Sequence, residues 1–231
     1  MAKHIGIVAC SAEGASLCYR TICAEGARLF GGAHAHPEVS LHGHSLADYV
    51  VCLERGDWRG VAALMLASAG KLAAAGANFL ICPDNTIHAA LPLIGARSPL
   101  PWLHIAEIVA AEASRRGYRR LGLLGTRWLV ESEVYPRALA ARDIAWVRPE
   151  PAACAEINRL IMQELTAGVF TPQAIAYHQN VVARLKEQGC DAVALACTEI
   201  PLILSDQNSP LPTLDSTRLL ARAALEHAAS S

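Results

Sequence analysis

The chain lacks the features that mark metal-stapled, membrane or nucleic-acid-binding proteins. None of its eight cysteines, Cys10, Cys18, Cys23, Cys52, Cys82, Cys154, Cys190 and Cys197, forms a Cys-x-x-Cys pair, so a structural zinc site has no ligand spacing to build on. His34, His36, His42 and His44 gather in one stretch. Their spacing fits no standard metal site, and a solvated loop beside an ordinary strand accounts for them. A P-loop is also missing, and neither a metal nor pyridoxal phosphate is expected as cofactor. Formal net charge is −1, which argues against nucleic-acid partners. No run approaches the roughly 18 consecutive apolar residues of a membrane span. The opening Met1-Ala2-Lys3-His4-Ile5-Gly6 leads directly into a strand without a long hydrophobic region, so no secretory signal is expected and the cytoplasm is the expected compartment. Cysteines there are reduced by default and mostly serve as small core residues.

What is present is apolar sequence and a repeat. Hydrophobic residues make up 53% of the 231, enough for one large or two modest domains with a substantial core. The stretch from Gly76 to His88 (GANFLICPDNTIH) is echoed from Gly189 to Pro201 (GCDAVALACTEIP). Each follows a helical segment, Trp58 to Ala75 and Thr171 to Gln188. Each reads as a Gly turn, an apolar strand, then a polar knot that opens another helix. Such knots place side chains and free N–H groups at the C-terminal edge of a sheet, where α/β proteins bind ligands. The first knot offers Asp84 where the second offers Cys197.

Along the chain, strands are expected at 4–9, 38–42, 79–82, 120–124, 144–147, 192–196 and 213–214. Helices are expected from the turn at Ser11 to about Leu29, over 58–75, from Asn85 to about Leu93, and over 105–116, 154–167, 171–188 and 216–227. Residues 45–55 read as helix or loop. The alternation predicts an α/β fold with a mostly parallel sheet covered by helices. Arg97-Ser98-Pro99-Leu100-Pro101 and Ser209-Pro210-Leu211-Pro212 read as crossovers, which places a first lobe at 1–101 plus 210–231 and a second at 102–209.

Over essentially its whole length the chain resembles the cofactor-independent aspartate/glutamate racemase superfamily. The resemblance rests on the first strand, the Asn85-Thr86 pair, Leu124-Gly125-Thr126-Arg127, the run Ile157-Asn158-Arg159-Leu160-Ile161 with Glu164-Leu165, and Cys197-Thr198-Glu199-Ile200. It implies two Rossmann-like lobes related by a pseudo-twofold axis, with the active site in the cleft between them, and a homodimer. It also implies a cysteine before Asn-Thr and another opening Cys-Thr-Glu, on opposite faces of a substrate Cα. Here Asp84 stands at the first of those positions, although some relatives carry threonine there. Cys82 shares strand parity with Asp84 but lies deeper, so it is not expected to replace the missing thiol.

Racemisation without a cofactor removes the Cα proton on one face and delivers a proton to the other, while donors hold the substrate carboxylate. Cys197 suits one face, since a helix start favours the thiolate of a group whose ordinary pKa is about 8.5. Asp84, with an ordinary pKa near 3.9, is a weak base and a scarce acid at neutral pH. It is a proton carrier, a substrate contact or a plain helix cap. Asn85, Thr86, Thr126, Thr198 and Ser11 are the expected substrate-binding set. Cys10 and Glu13 lie in the same turn as Ser11, His44 and Ser45 follow the short second strand, and Arg127 either meets a carboxylate or pairs at the surface. No Arg or Lys stands in 42–49 or 162–170 to hold a second carboxylate, so substrate choice stays open. The expected function is a racemase or epimerase of an amino acid or related carboxylate. The alternatives are a decarboxylase or cis–trans isomerase on the same scaffold, or a non-catalytic carboxylate-binding protein.

Overall fold

The protein is described by a computed structural model covering residues 2–230. It divides into two compact units, one made of residues up to Ile105 together with those from Thr217 onward, the other of Ala106–Ser216. The first unit holds β1 (Ile5–Ala9), α1 (Ala12–Glu25), α2 (Ala27–Phe30), β2 (Val39–Gly43), α3 (Leu46–Glu54), α4 (Trp58–Ala74), β3 (Phe79–Ile81) and α5 (Leu91–Ile94). Then come α6 (Ile105–Arg115), β4 (Arg120–Leu124), α7 (Arg127–Val130), α8 (Val134–Ala140), β5 (Ala145–Val147), α9 (Pro151–Gln163), α10 (Pro172–Glu187), β6 (Ala192–Leu195), β7 (Thr213–Asp215) and α11 (Ser216–Ala229). The strands form two parallel sheets, β2-β1-β3 and β5-β4-β6-β7.

Successive strand residues point to opposite faces, so a strand buried at every position must be covered on both sides. β1, β3 and β6 are buried throughout, whereas the edge strands β2 and β5 are partly exposed. The helices that cover them start at side-chain caps. Ser11 accepts from Gly14 N, Asp57 from Gly60 N and Thr171 from Ala174 N, each satisfying a backbone donor that the first turn leaves open. α4 then buries Val61, Ala62, Met65, Ala69 and Leu72, one stripe at helical spacing.

The repeat seen in the sequence is a repeat of hydrogen bonds. α4 and α10 end alike: Gly76 N donates to Ala73 O and Ala77 N to Leu72 O, while Gly189 N donates to Lys186 O and Cys190 N to Leu185 O. Both glycines are left-handed, φ 93° and 83°, a conformation that costs a side-chain-bearing residue. Two residues on, Asn78 Oδ1 accepts from His4 N at 2.7 Å, and the Asp191 carboxylate accepts from Arg119 N at 2.6 Å and Arg120 N at 3.2 Å. Each pins the start of the neighbouring parallel strand. The likeness extends to Ser98-Pro99-Leu100-Pro101 and Ser209-Pro210-Leu211-Pro212. Pro101 O accepts from Leu80 N on the outer side of β3, and Pro212 O from Val193 N on the outer side of β6.

Several local expectations need correction. The helix expected from Asn85 is a 3₁₀ turn over Thr86–Ala90, the short α5, and a second 3₁₀ turn over Gly95–Arg97. Pro92 has no N–H to extend α5 backward, and Gly95, at φ 48°, ends it. The first helix breaks at Gly26 into α1 and α2. The helix read from Cys154 starts at Pro151, whose fixed φ suits a first helical position. α7 and α8 fall in a stretch where no helix was expected. β7 is bonded to β6, so the segment after Ser209 joins the second sheet, and the return to the first unit begins at Thr217.

Candidate active site

In the first unit, β3 delivers Cys82, Pro83 and Asp84, and the 3₁₀ turn begins directly after Asn85. Asp84 Oδ1 accepts from Ile87 N at 3.0 Å, so one carboxylate oxygen caps that turn. His88 Nδ1 donates to the Asp84 carbonyl at 2.7 Å, and His88 Nε2 accepts from Ile105 N at 3.3 Å. One ring nitrogen donates and the other accepts, so the imidazole is neutral. Burial, with His104 beside it, pushes the His88 pKa down to about 3. His88 is thus a fixed brace behind the Asp84 backbone. Asn85 and Thr86 are buried next to Asp84. Ser11, at the end of the adjacent strand β1, is buried with its oxygen engaged in the α1 cap.

Cys82 is fully buried, and burial with the nearby Asp84 charge pushes its thiol well up, leaving a neutral group at neutral pH. Beneath the same knot lies Tyr49, fully buried on α3. Burial, then Cys82, Cys10 and Asp84 in turn, raises its phenol above the ordinary range against an opposing effect of Ser68, so it is a neutral hydroxyl. Nothing in the sequence singled it out. His42 is engaged elsewhere: Lys71 Nζ donates to its Nε2 at 2.9 Å, which leaves Nδ1–H to donate to Ser68 Oγ at 3.0 Å.

In the second unit, β4 and β6 are parallel neighbours, so their polar ends emerge on the same edge of the sheet. The backbones there run close, since a Cβ at Gly125 would lie 3.0 Å from Ala196 O. Thr126 follows β4, is buried, and caps α7 by accepting from Leu129 N. Cys197 follows β6 and is 7% exposed. Its thiol donates to Glu199 Oε2 at 3.0 Å, and Thr198 Oγ1 donates to the same oxygen at 3.0 Å. Glu199 is 3% exposed, and its Oε1 has no hydrogen-bond partner among the described residues. A buried carboxylate with one oxygen on a thiol proton can accept that proton. Glu199 stood in the sequence motif, but only the structure gives it this contact.

The first unit therefore groups Asp84, Asn85 and Thr86 with Ser11 on the adjoining strand, and the second groups Cys197 and Thr198 with Thr126. The Asp/Glu/Hydantoin racemase family model matches residues 7–224. The chain belongs to that family. It is 27% identical to the broad specificity amino-acid racemase RacX of Bacillus subtilis over 155 residues, covering 66% of this chain and 65% of the relative. It is 31% identical to the glutamate racemase of Thermus thermophilus over 158 residues, covering 67% of this chain and 56% of the relative. The matches thus span less than two thirds of either relative's length. Among solved structures, an aspartate racemase homologue from Pyrococcus horikoshii superposes with a TM-score of 0.82 at 25% identity, covering 100% of both chains. A Yersinia pestis protein described provisionally as an Asp/Glu racemase reaches 0.87 at 30% identity, covering 99% of this chain and 100% of its own. Among the described residues no helix is long and apolar enough to cross a membrane.

Proposed function

We propose that the protein is a cofactor-independent racemase or epimerase of an amino acid or related small carboxylate. The observation that carries this reading is the Cys197 thiol on the buried Glu199 carboxylate, in a chain of the racemase family. Glu199 takes the thiol proton before reaction, leaving a thiolate. The thiolate removes the Cα proton, and Asp84, in its acid form, gives a proton to the carbanion and ends as a carboxylate. The reverse direction exchanges the two roles. Asn85, Thr86, Thr126, Thr198 and Ser11, with neighbouring N–H groups, hold the substrate carboxylate and stabilise the charge that develops beside it.

The reading needs no pyridoxal phosphate. A Schiff base requires a lysine, and the chain's lysines are Lys3, Lys71 and Lys186. Lys3 donates to Ser230, Lys71 to His42, and Lys186 lies in the last turn of α10, so neither knot carries one. A cytoplasmic homodimer completes the reading, with sedimentation as the check on its assembly.

One observation favours a second reading. Asp84 is engaged as a cap, which leaves Cys197 as the principal acid/base and suits one-sided chemistry such as decarboxylation or cis–trans isomerisation, or carboxylate binding alone. Incubation in deuterated water with both enantiomers of a panel of amino acids, glutamate and aspartate included, separates them. Cα exchange with appearance of the opposite enantiomer is expected. Decarboxylation of a malonate without any exchange would replace the first reading with the second.

A further inference from the structure

The second unit contains a cavity of about 350 Å³ whose lining includes none of Thr126, Cys197 or Thr198. Its volume is at the small end of ligand pockets, which run from roughly 300 to 1,000 Å³. One wall is α7, which contributes Arg127 at its first position. The other is the face of α9 that carries Pro151, Cys154, Ala155 and Asn158, residues spaced to fall on one side of a helix. Arg148 and Pro149, between β5 and α9, close one end.

The walls are fixed to one another. Asn158 Oδ1 accepts from Arg127 N at 3.0 Å, joining α9 to the start of α7. Cys154 Sγ donates to Pro149 O at 3.1 Å, joining the Arg148–Pro149 segment to α9. The Arg127 guanidinium lies 4.6 Å from the Trp128 ring centroid, a cation–π contact that orients it without neutralising it.

Some arginines outside the cavity are ion-paired, Arg115 and Arg116 with Glu112, Arg159 with Glu156 and Glu164, Arg28 and Arg222 with Glu25, while others such as Arg20, Arg55 and Arg137 are not, among the described residues. Arg127 and Arg148 have no carboxylate within 4.0 Å among the described residues, although both line this cavity. Glu131 lines it as well and partly opposes them. The fields of Arg148 and Glu131 both reach the Cys154 thiol, with opposite effects, so the two charges share one small space. Pro151 opens the 13-residue helix α9, whose positive end adds to the attraction for an anion. Guanidinium pairs are suited to forked oxygen acceptors, carboxylate or phosphate. The prolines, Val130 and Ala155 offer apolar contact for a short carbon skeleton.

We propose that this cavity binds a small dianion, a dicarboxylate or a phosphate, through Arg127 and Arg148, at a site separate from the Cys197 knot. This inference does not depend on the racemase reading. Calorimetric titration of the full chain at low salt, with inorganic phosphate and with succinate as separate probes, tests it. At least one probe is expected to bind with millimolar or better affinity. Arg148→Gln and Arg127→Gln should each weaken binding about tenfold or more, and Glu131→Gln should tighten it severalfold. Asp84→Asn and Cys197→Ala should leave it unchanged. Binding of phosphate alone points to a phosphorylated ligand, of succinate alone to a dicarboxylate. Arg148 and Glu131 are exposed, so their variants carry the test even if Arg127→Gln disturbs α7. Peptide-mapped alkylation supplies a second readout, since a bound anion should slow modification of the half-buried Cys154. Three results would overturn the proposal: no binding of either probe, binding indifferent to both arginine variants, or an alkylation rate at Cys154 unaffected by a saturating anion.

Discussion

The two knots share a scaffold and part ways at the position where one offers a carboxylate and the other a thiol. In both, a left-handed glycine ends the preceding helix, an Asn or Asp pins the neighbouring strand, and a buried strand leads to a 3₁₀ turn. Counted from that glycine, Asp84 matches Cys197, Thr86 matches Glu199 and Ile87 matches Ile200. The first turn is capped by a side chain, with Ile87 N on Asp84 Oδ1. The second is capped by backbone, with Ile200 N on Cys197 O at 3.2 Å. Thiols are weak acceptors, so the second knot leaves the cap to the main chain and turns its sulfur to Glu199. A carboxylate has two oxygens and can cap with one while the other serves chemistry. The comparison teaches that the knots are unequal in kind: one holds a thiol with its own proton acceptor, the other a carboxylate with a structural duty.

Removing the thiol should produce the largest effect. Positioned acid–base groups contribute about 10²–10⁴-fold, so Cys197→Ala should lower Cα exchange by that order while the fold persists. Full turnover in this variant, measured by exchange into deuterated water, would remove the active-site assignment altogether. Glu199→Gln sharpens the same side of the comparison. Gln keeps an acceptor oxygen near the sulfur but cannot take its proton, so the rate should fall about tenfold or more near neutral pH and recover as alkaline pH ionises the thiol directly. Alkylation of Cys197 should follow the same profile. A uniform loss at every pH would make Glu199 a purely structural partner.

Asp84 is where the two knots can be told apart by substitution. Asn caps about as well as Asp, whereas Ala costs about 1 kcal/mol. Asp84→Asn should therefore melt like wild type, and Asp84→Ala should melt lower. If the carboxylate moves a proton, both should lose about 10²-fold or more in two-sided exchange. An Asn variant that keeps full activity would reduce Asp84 to a cap. Asp84→Cys makes the knots chemically alike and should retain exchange if Asp84 stands in for a thiol.

Much of this arrangement was legible in the sequence because it is local. Strand–helix alternation, the Gly turns and the apolar runs fix β1, β4, β6, α4 and α10 to within a residue or two. Tertiary contacts decide the rest. The stretch from Asn85 to about Leu93 reads as a helix in the sequence, but its turns are set by the Asp84 cap, Pro92 and the His88 bridge to Ile105. α7 and α8 are short and depend on packing and on Thr126 as a cap, with no long periodic stripe to announce them. The motif put Cys197 and Glu199 two residues apart, yet their hydrogen bond depends on how the 3₁₀ turn bends. Tyr49 reaches the first knot from a distant helix, and no spacing in the sequence signals that.

The knots should also differ in acid. The first is braced by His88, held neutral with a pKa lowered to about 3 from an ordinary 6.5. An unfolded chain binds that proton more readily, so stability from this group is fully present above about pH 6.5 and declines as pH falls toward 3. At about 1.4 kcal/mol per pH unit, the loss between pH 6.5 and pH 5 is about 2 kcal/mol. His178, buried on α10 with Nδ1 donating to Ala174 O, also has its pKa lowered by burial and adds a loss of the same sign. Denaturant unfolding from pH 7 to pH 5 should show the decline, and His88→Gln should flatten it. A slope unchanged in His88→Gln would mean that the brace does not govern acid sensitivity.

The smallest expected difference lies at the two strand pins. Asp191 accepts from two backbone N–H groups as a carboxylate, and Asn78 from one as an amide. Hydrogen bonds to charged groups contribute about 1.5–3 kcal/mol against about 0.5–1.5 for neutral ones, and partial exposure places Asp191 toward the lower end. Asp191→Asn keeps one acceptor and gives up the charge, so it should cost about 1 kcal/mol. Asn78→Asp keeps its acceptor and adds charge beside a single donor, so it should change stability by only a few tenths of a kcal/mol in either direction. Chemical denaturation at pH 7 compares the pair. Equal costs would mean that the pins act through geometry alone. A loss confined to Asp191→Asn would show that the second knot rests on a charged support which the first does without.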